Sequence, residues 1–293
     1  MQWTQEEWTA PQPYCVLLLG DTDYDYRNIT GESESQVPTI ISGTYSNRAV
    51  DDRLAAINGR IPDLALGRFP AKSASEVEDF VTKLIEHETN PITGYWRQRV
   101  TLVADDGARP EDGSSGGSIS TGKSHTQNSE IVADWISPRV EVNKLYMLEF
   151  PEVNDPSSYG VIKPDATDAL METISEGTAI INYIGHGSAH QWAQEKLLVQ
   201  DRGDVNRITT EMKLPLWVAG TCSWGHFDYL DSESFSEELI RQPLDGAAGI
   251  ITTSRAIGVS SNALYITKIF KAIFPNHEVT DEPVGIVLQS VKD

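Results

Sequence analysis

Two apolar segments of this chain end abruptly in residues that can do chemistry. Ala179-Ile180-Ile181-Asn182-Tyr183-Ile184 runs into Gly185-His186-Gly187, and Leu214-Pro215-Leu216-Trp217-Val218-Ala219 runs into Gly220-Thr221-Cys222. In a parallel sheet, ligands and reactive groups collect beyond the carboxyl ends of the strands. If these segments are neighbouring strands, His186 and Cys222 meet across one edge of the sheet. A thiol with an ordinary pKa near ~8.5 is only a few per cent thiolate at neutral pH, and an adjacent imidazole raises that fraction. The same imidazole can then return its proton to a leaving amine. The backbone N–H groups of Gly187 and Cys222 are candidates for an oxyanion hole. A plainer reading also fits: Cys222 as a small buried hydrophobe, and Gly-His-Gly as a turn.

Such groups need a sheet to position them. Short apolar runs alternate with helical patterns along the chain, which predicts an α/β protein with a largely parallel sheet. Strands are expected at 14–19, 63–66, 99–104, 179–184, 216–219 and 248–252, and helices at 73–88, 128–136, 164–176, 233–241 and 262–274. Val77, Phe80, Val81, Leu84 and Ile85 recur at helical spacing behind a Ser73/Glu76 capping box. Pro164 opens one helix and Gly177 follows its end. The Gly- and Ser-rich stretch 105–129 reads as a long loop after a strand, the kind that is usually functional or disordered. Asn90-Pro91 to Gly94 is the natural internal boundary, which divides the chain into 1–93 and 94–293. Cys15 falls inside a strand and is expected to be buried.

Composition narrows the partners. With 23 basic and 43 acidic side chains among 293 residues, the net charge is −20. That argues against nucleic acid, whose phosphates need a basic surface, and against a polybasic hold on anionic membranes. No apolar run approaches the ~20 residues of a transmembrane helix. Two cysteines, Cys15 and Cys222, make no disulfide framework. The start, Met1-Gln2-Trp3-Thr4, lacks the basic and apolar regions of a signal peptide. The expectation is therefore either a cytoplasmic protein or an excerpt of a longer exported one.

The two strand-end blocks resemble the gingipain family of cysteine peptidases, peptidase family C25. The resemblance rests on Asn182 to Ser188 with Trp192, on Thr221-Cys222-Ser223-Trp224-Gly225-His226-Phe227-Asp228 with Phe235 and Glu237, and on Pro62 to Pro70 with its Gly67-Arg68 strand end. It implies a caspase-like α/β fold, a mostly parallel sheet flanked by helices, with a smaller N-terminal α/β subdomain. It also implies a cysteine endopeptidase with His186 and Cys222 as the catalytic pair. Asp106 best matches the family's third, acidic residue, with Asp105 its immediate rival. Trp192 is expected to wall the S1 site, a core tryptophan being the alternative. Thr121-Gly122-Lys123-Ser124-His125 carries no carboxylate where arginine-directed members have one. His226 stands where the family often has an acid, and His190, His226 and Cys222 do not make a zinc set.

Other segments are similar to the branch of the family that serves as the sortase of type IX secretion. They are Leu19-Gly20-Asp21, Tyr24-Asp25-Tyr26, Ala104-Asp105-Asp106 with His125 and Glu130, and Thr252-Thr253-Ser254-Arg255-Ala256 with Ser260-Ser261-Asn262. This likeness implies cleavage of C-terminal sorting domains from cargo proteins through an acyl-enzyme. The implied partners are cargo tails and outer-membrane secretion components, and the implied place is the bacterial surface. A purely hydrolytic protease and a pseudopeptidase that only binds protein tails stay as alternatives. No cofactor is required by this chemistry. Asp21, Asp23, Asp25 and Glu32 mimic a calcium loop, but Tyr26 stands where the sharp turn wants glycine, so calcium is a minor expectation. The family continues beyond the residue matching Asp293, which again reads as an excerpt.

Overall fold

Runs of branched apolar residues make strands that can be covered on both faces, and five of them pair side by side. The computed structural model describes residues 9, 11, 13–43, 47–57, 59, 61–107, 119–158 and 160–292, with backbone alone for 119–122. In chain order the longer strands are β1 (Cys15–Leu19), β2 (Ala65–Phe69), β3 (Arg99–Ala104), β4 (Glu141–Tyr146), β5 (Ile180–Ile184), β6 (Leu216–Gly220) and β7 (Gly249–Ile251). β1 and β2 form a parallel pair of their own, and the other five build one all-parallel sheet in the order β7-β6-β5-β3-β4. The chain leaves β3 first toward β4 and afterwards toward β5, β6 and β7. The strand order therefore reverses between β3 and β5, the point at which α/β sheets open a crevice for ligands.

Helices cover both faces, and the alternation of strand side chains shows which residue meets which layer. Val103, Ile181, Tyr183, Trp217 and Ala219 face a core shared with α3 (Pro164–Glu176) and α4 (Phe235–Arg241). Val100, Leu102, Ala104, Ile180, Ile184, Val218 and Ile251 face the other core. That core is closed by Val132 of α2 (Ile119–Ala133), by α5 (Val259–Ile273) and by α6 (Val284–Ser290). The first core also takes in Phe69 and Phe80, the latter on α1 (Ala74–Thr89), so residues before and after position 93 share one apolar interior. The buried Lys83 ammonium adds a polar tie, donating to the carbonyls of Ile240, Gln242 and Asp245. No helix among the described residues is long and apolar enough to cross a membrane.

The mixed α/β layering and the parallel sheet agree with the expected architecture, and the departures have local causes. β4 was not anticipated: Glu-Val-Asn-Lys-Leu-Tyr is an edge strand with a half-exposed, polar pattern that carries no apolar run. α2 begins within the expected loop, because Ile119–Ala133 is rich in Ser and Thr, which conceals its helical character. Residues 108–118 of that loop, including Glu111 and Asp112, lie outside the described residues. Cys15 is exposed rather than buried, since β1 is paired on one side only and alternates between exposed and half-buried positions. Elsewhere the local signals hold. Ser73 caps α1 by accepting from the Glu76 N–H, and α3 spans 164–176 with Gly177 at φ 103° behind it.

Candidate active site

The sheet register places the two reactive residues symmetrically. Ile184 of β5 pairs with Gly220 of β6, and His186 and Cys222 each lie two positions beyond that pair. The ladder extends past the strand ends, with the Gly185 N–H donating to the Gly220 carbonyl at 3.3 Å. Gly187 then passes so close to the cysteine loop that a Cβ there would stand 2.4 Å from the Thr221 hydroxyl. On the other side of β5, Ala104 pairs with Ile184, and the Asp105 N–H donates to the Ile184 carbonyl at 3.1 Å. Three strand ends thus deliver an acid, an imidazole and a thiol in the spatial order β3, β5, β6.

Asp105 holds the imidazole. Its Oδ2 accepts from His186 Nδ1 at 2.8 Å and from the His186 backbone N–H at 2.7 Å. This approach is possible because residue 185 has no side chain: a Cβ would lie 2.3 Å from that of Asp105. The Tyr183 hydroxyl donates to the His186 carbonyl at 2.7 Å and fixes the turn from below. Asp105 is 1 % exposed. Burial alone would raise its pKa, but the hydrogen bonds and charge of His186 outweigh this and hold the carboxyl below its usual range. The Asp105 hydrogen bond in turn raises His186 above the usual histidine range, against the opposing effect of partial burial. A carboxylate on Nδ1 fixes the tautomer and leaves Nε2 for a reaction partner.

Asp106 does not touch the histidine. Successive side chains of an extended segment point to opposite faces, and Asp106 turns toward α3, where its Oδ2 accepts from Lys163 Nζ at 2.5 Å. Lys163 is itself buried and also donates to the Met147 carbonyl at 2.7 Å. The geometry therefore puts Asp105 where Asp106 was expected.

The cysteine loop is clamped from the segment after β7. The Ile257 N–H donates to Cys222 Sγ at 3.5 Å, and Sγ in turn lies 3.6 Å from the Ile257 carbonyl. Ser223, at φ 57°, donates its N–H to the Arg255 carbonyl, and Thr253 Oγ1 donates to the Thr221 carbonyl at 2.5 Å. Arg255 closes the clamp with two bonds of 2.6 Å to the buried Asp228. Among the described residues, the N–H groups of Gly187 and Cys222 enter no backbone hydrogen bond.

A family model for peptidase family C25 matches residues 1–293. The chain belongs to peptidase family C25. Solved structures agree on the fold. The arginine-specific cysteine proteinase gingipain R superposes with a TM-score of 0.71 at 19% identity, over 98% of this chain and 59% of that one. A complex of the pro- and mature domains of the same Porphyromonas gingivalis enzyme gives 0.68 at 19% identity, over 98% and 60%. A structure described only as a protease gives 0.62 at 15% identity, over 95% and 62%. No curated protein matches the chain. This C25 chain thus spans about three-fifths of the length of the solved relatives it matches.

Within this C25 chain, Trp192 is not a cleft wall. It is 0 % exposed, stacked on Tyr183 with centroids 4.2 Å apart and packed among Trp217 and Trp224. The short hairpin Gln191–Trp192 with Leu198–Val199 turns it inward, into the core that carries Tyr183. The acidic loop is knit by its own hydrogen bonds, and the buried Asp23 Oδ1 has no hydrogen-bond partner among the described residues. Asp25 spends both oxygens on the Ile29 and Thr30 amides and the Thr30 hydroxyl, and Asp23 Oδ2 accepts from Ser33 and Glu34. Among the described residues, the acidic and histidine groups close enough to share an ion are Asp105–His125–His186 and Asp105–Asp106–Glu195.

His125 and Glu195 are the site neighbours that sequence reasoning passed over as functional groups. His125 sits edge-on to His186, with ring centroids 5.1 Å apart. Glu195 is buried with neither carboxyl oxygen bonded among the described residues. Burial, then the charges of Asp106 and Asp105, push its pKa up to about 8. Neither residue ends an apolar strand, so the signal that singled out His186 and Cys222 is missing for both.

Proposed function

We propose that the chain is a cysteine peptidase in which Cys222 attacks, His186 moves the proton and Asp105 positions the imidazole. The observation that carries this reading is the Asp105–His186 hydrogen bond at the end of β5, beside the strand that presents Cys222. In the proposed cycle His186 takes the thiol proton, and Sγ adds to a peptide carbonyl whose oxygen rests on the Gly187 and Cys222 N–H groups. The C–N bond then breaks, and the leaving amine takes the proton from His186. Water or an amine next attacks the thioester and gives its proton to His186, and Cys222 is restored. The nucleophile that arrives decides between hydrolysis and transpeptidation.

We take the sortase-like form as the finer reading. Its support is the likeness in Ala104 to Asp106, His125, Glu130 and the 252–262 segment to the type IX secretion branch. The structural clamp from Thr253, Arg255 and Ile257 on the cysteine loop draws on that same segment. The substrates would be protein tails, met at the outer surface of a bacterium in company with secretion components.

One comparison tests the core of the proposal. Iodoacetamide labelling of Cys222, in a Cys15→Ser background, is measured for Asp105→Asn and Asp106→Asn alongside cleavage of a cargo tail. Asp105→Asn should lose activity by up to ~10⁴-fold, as expected when the imidazole tautomer is no longer held. Asp106→Asn should chiefly lower stability. Equal loss in both, or loss in Asp106→Asn alone, overturns the assignment. Adding an amine acceptor to the cleavage reaction separates the two fates, and hydrolysed product alone at every acceptor concentration would end the sortase reading.

A further inference from the structure

A buried imidazole with no partner is costly, because both ring nitrogens lose water and gain nothing. His125, carried by α2, is in this position. It is 3 % exposed, and neither Nδ1 nor Nε2 has a hydrogen-bond partner among the described residues. Its ring is directed against His186, and one ligand atom each of His125, His186 and Asp105 falls within 4.8 Å of the others. Two imidazoles and a carboxylate are the donor set of three-ligand zinc sites, which leave a fourth position open. Calcium and magnesium prefer all-oxygen shells and fit this set poorly. The neighbouring all-oxygen cluster competes weakly, since Asp106 is already engaged by Lys163.

We propose that Asp105, His125 and His186 form a regulatory Zn²⁺ site that shuts off the peptidase. The ion takes a lone pair from each imidazole and an oxygen of Asp105, and any proton held on those donor atoms leaves to solvent. While it is bound, His186 cannot accept the Cys222 proton, and the thiol stays unreactive. The inhibitory half rests on the His186–Cys222 reading above, whereas the binding half rests on the three side chains alone.

The test separates the two halves. Binding is measured in the full chain with Cys15→Ser and Cys222→Ser, so that no thiol can ligate. Co²⁺ serves as the spectroscopic probe and Zn²⁺ as competitor. A saturable Co²⁺ absorption displaced by Zn²⁺ is expected, weakened at least about 100-fold in both His125→Gln and His125→Phe. X-ray absorption of the zinc-loaded protein, with His125 intact, should count two imidazoles on the metal. Absence of saturable binding, fewer than two imidazoles, or unchanged affinity in both variants overturns the site. Inhibition is read with Cys222 restored: Zn²⁺ should slow iodoacetamide labelling, and His125→Gln should make that variant's own rate insensitive to zinc. Two imidazoles on the metal with undiminished labelling would overturn the inhibitory role and the catalytic reading beneath it, while leaving the metal site standing.

Discussion

Replacing Gly185 by alanine isolates the contact on which the site depends. Its backbone is not left-handed, so alanine brings no conformational strain, only a methyl group. That methyl would lie 2.3 Å from Asp105 Cβ and 2.4 Å from the Tyr183 hydroxyl oxygen. Carbon atoms pack at about 3.5–4.0 Å, so Asp105 has to retreat by about 1 Å or more. Both supports of His186 are then displaced: the Nδ1 bond to Asp105 and the Tyr183 bond to the His186 carbonyl. A displacement of about 1 Å costs on the order of 10²-fold in rate, equivalent to about 2.7 kcal/mol of barrier. Overpacking adds about 1–3 kcal/mol of lost stability.

The assay is second-order labelling of Cys222 by iodoacetamide in a Cys15→Ser background, because Cys15 is exposed and would react too. Circular dichroism and a thermal melt establish that the variant is folded at the assay temperature. The double variant Gly185→Ala/Asp105→Asn supplies the decisive comparison. If both changes act through one hydrogen bond, their losses do not add. A folded Gly185→Ala protein that labels within about threefold of the parent would refute the argument, and so would full additivity in the double variant.

Three further predictions follow from the structure. Removing the Asp105 charge removes what raises His186, so Asp105→Asn should move the acid limb of the labelling profile to lower pH. The pair should also stabilise the fold most between about pH 4 and 6.5, fading in acid as Asp105 protonates and at higher pH as His186 passes its raised pKa. Glu195 must keep its proton when folded, with a pKa pushed up to about 8. Wild-type stability should therefore fall between about pH 4.5 and 8, and Glu195→Gln should flatten that slope and raise Tm at pH 8, at about 2–4 °C per kcal/mol recovered. An unchanged slope would contradict the burial argument. Arg68 donates two bonds to Asp51 and reaches the Gly20 and Val37 carbonyls. Lysine cannot reproduce that fork, and Arg68→Lys should cost about 2–3 kcal/mol in denaturant unfolding.

The sheet and its reactive ends were legible because doubly buried parallel strands are continuous apolar runs, and β5 and β6 run into Gly185-His186 and Gly220-Thr221-Cys222. The acid was less legible. Asp105 and Asp106 are adjacent, and only the register past Ala104 and the missing side chain at Gly185 decide which one meets the imidazole. Trp192 misled for a related reason, since an aromatic residue near a catalytic motif has the same composition whether its hairpin turns it inward or outward. β4 was hidden by its edge position, and His125 by a helix whose Ser- and Thr-rich sequence looks like loop. Such features are set by long-range packing, which leaves little local pattern.

The register that makes the site also governs when it can exist. β5 and β6 bring together residues 36 positions apart, and Asp105 meets His186 across 81. Contacts this distant pay loop-closure entropy before they are rewarded, which makes them slow to form. Cys222 comes last of the three along the chain. A nascent or partly folded molecule thus carries a thiol, an imidazole and a carboxylate that have not yet met. In the proposed peptidase the three groups would meet only as the sheet is completed, so its competence would follow from finishing the fold.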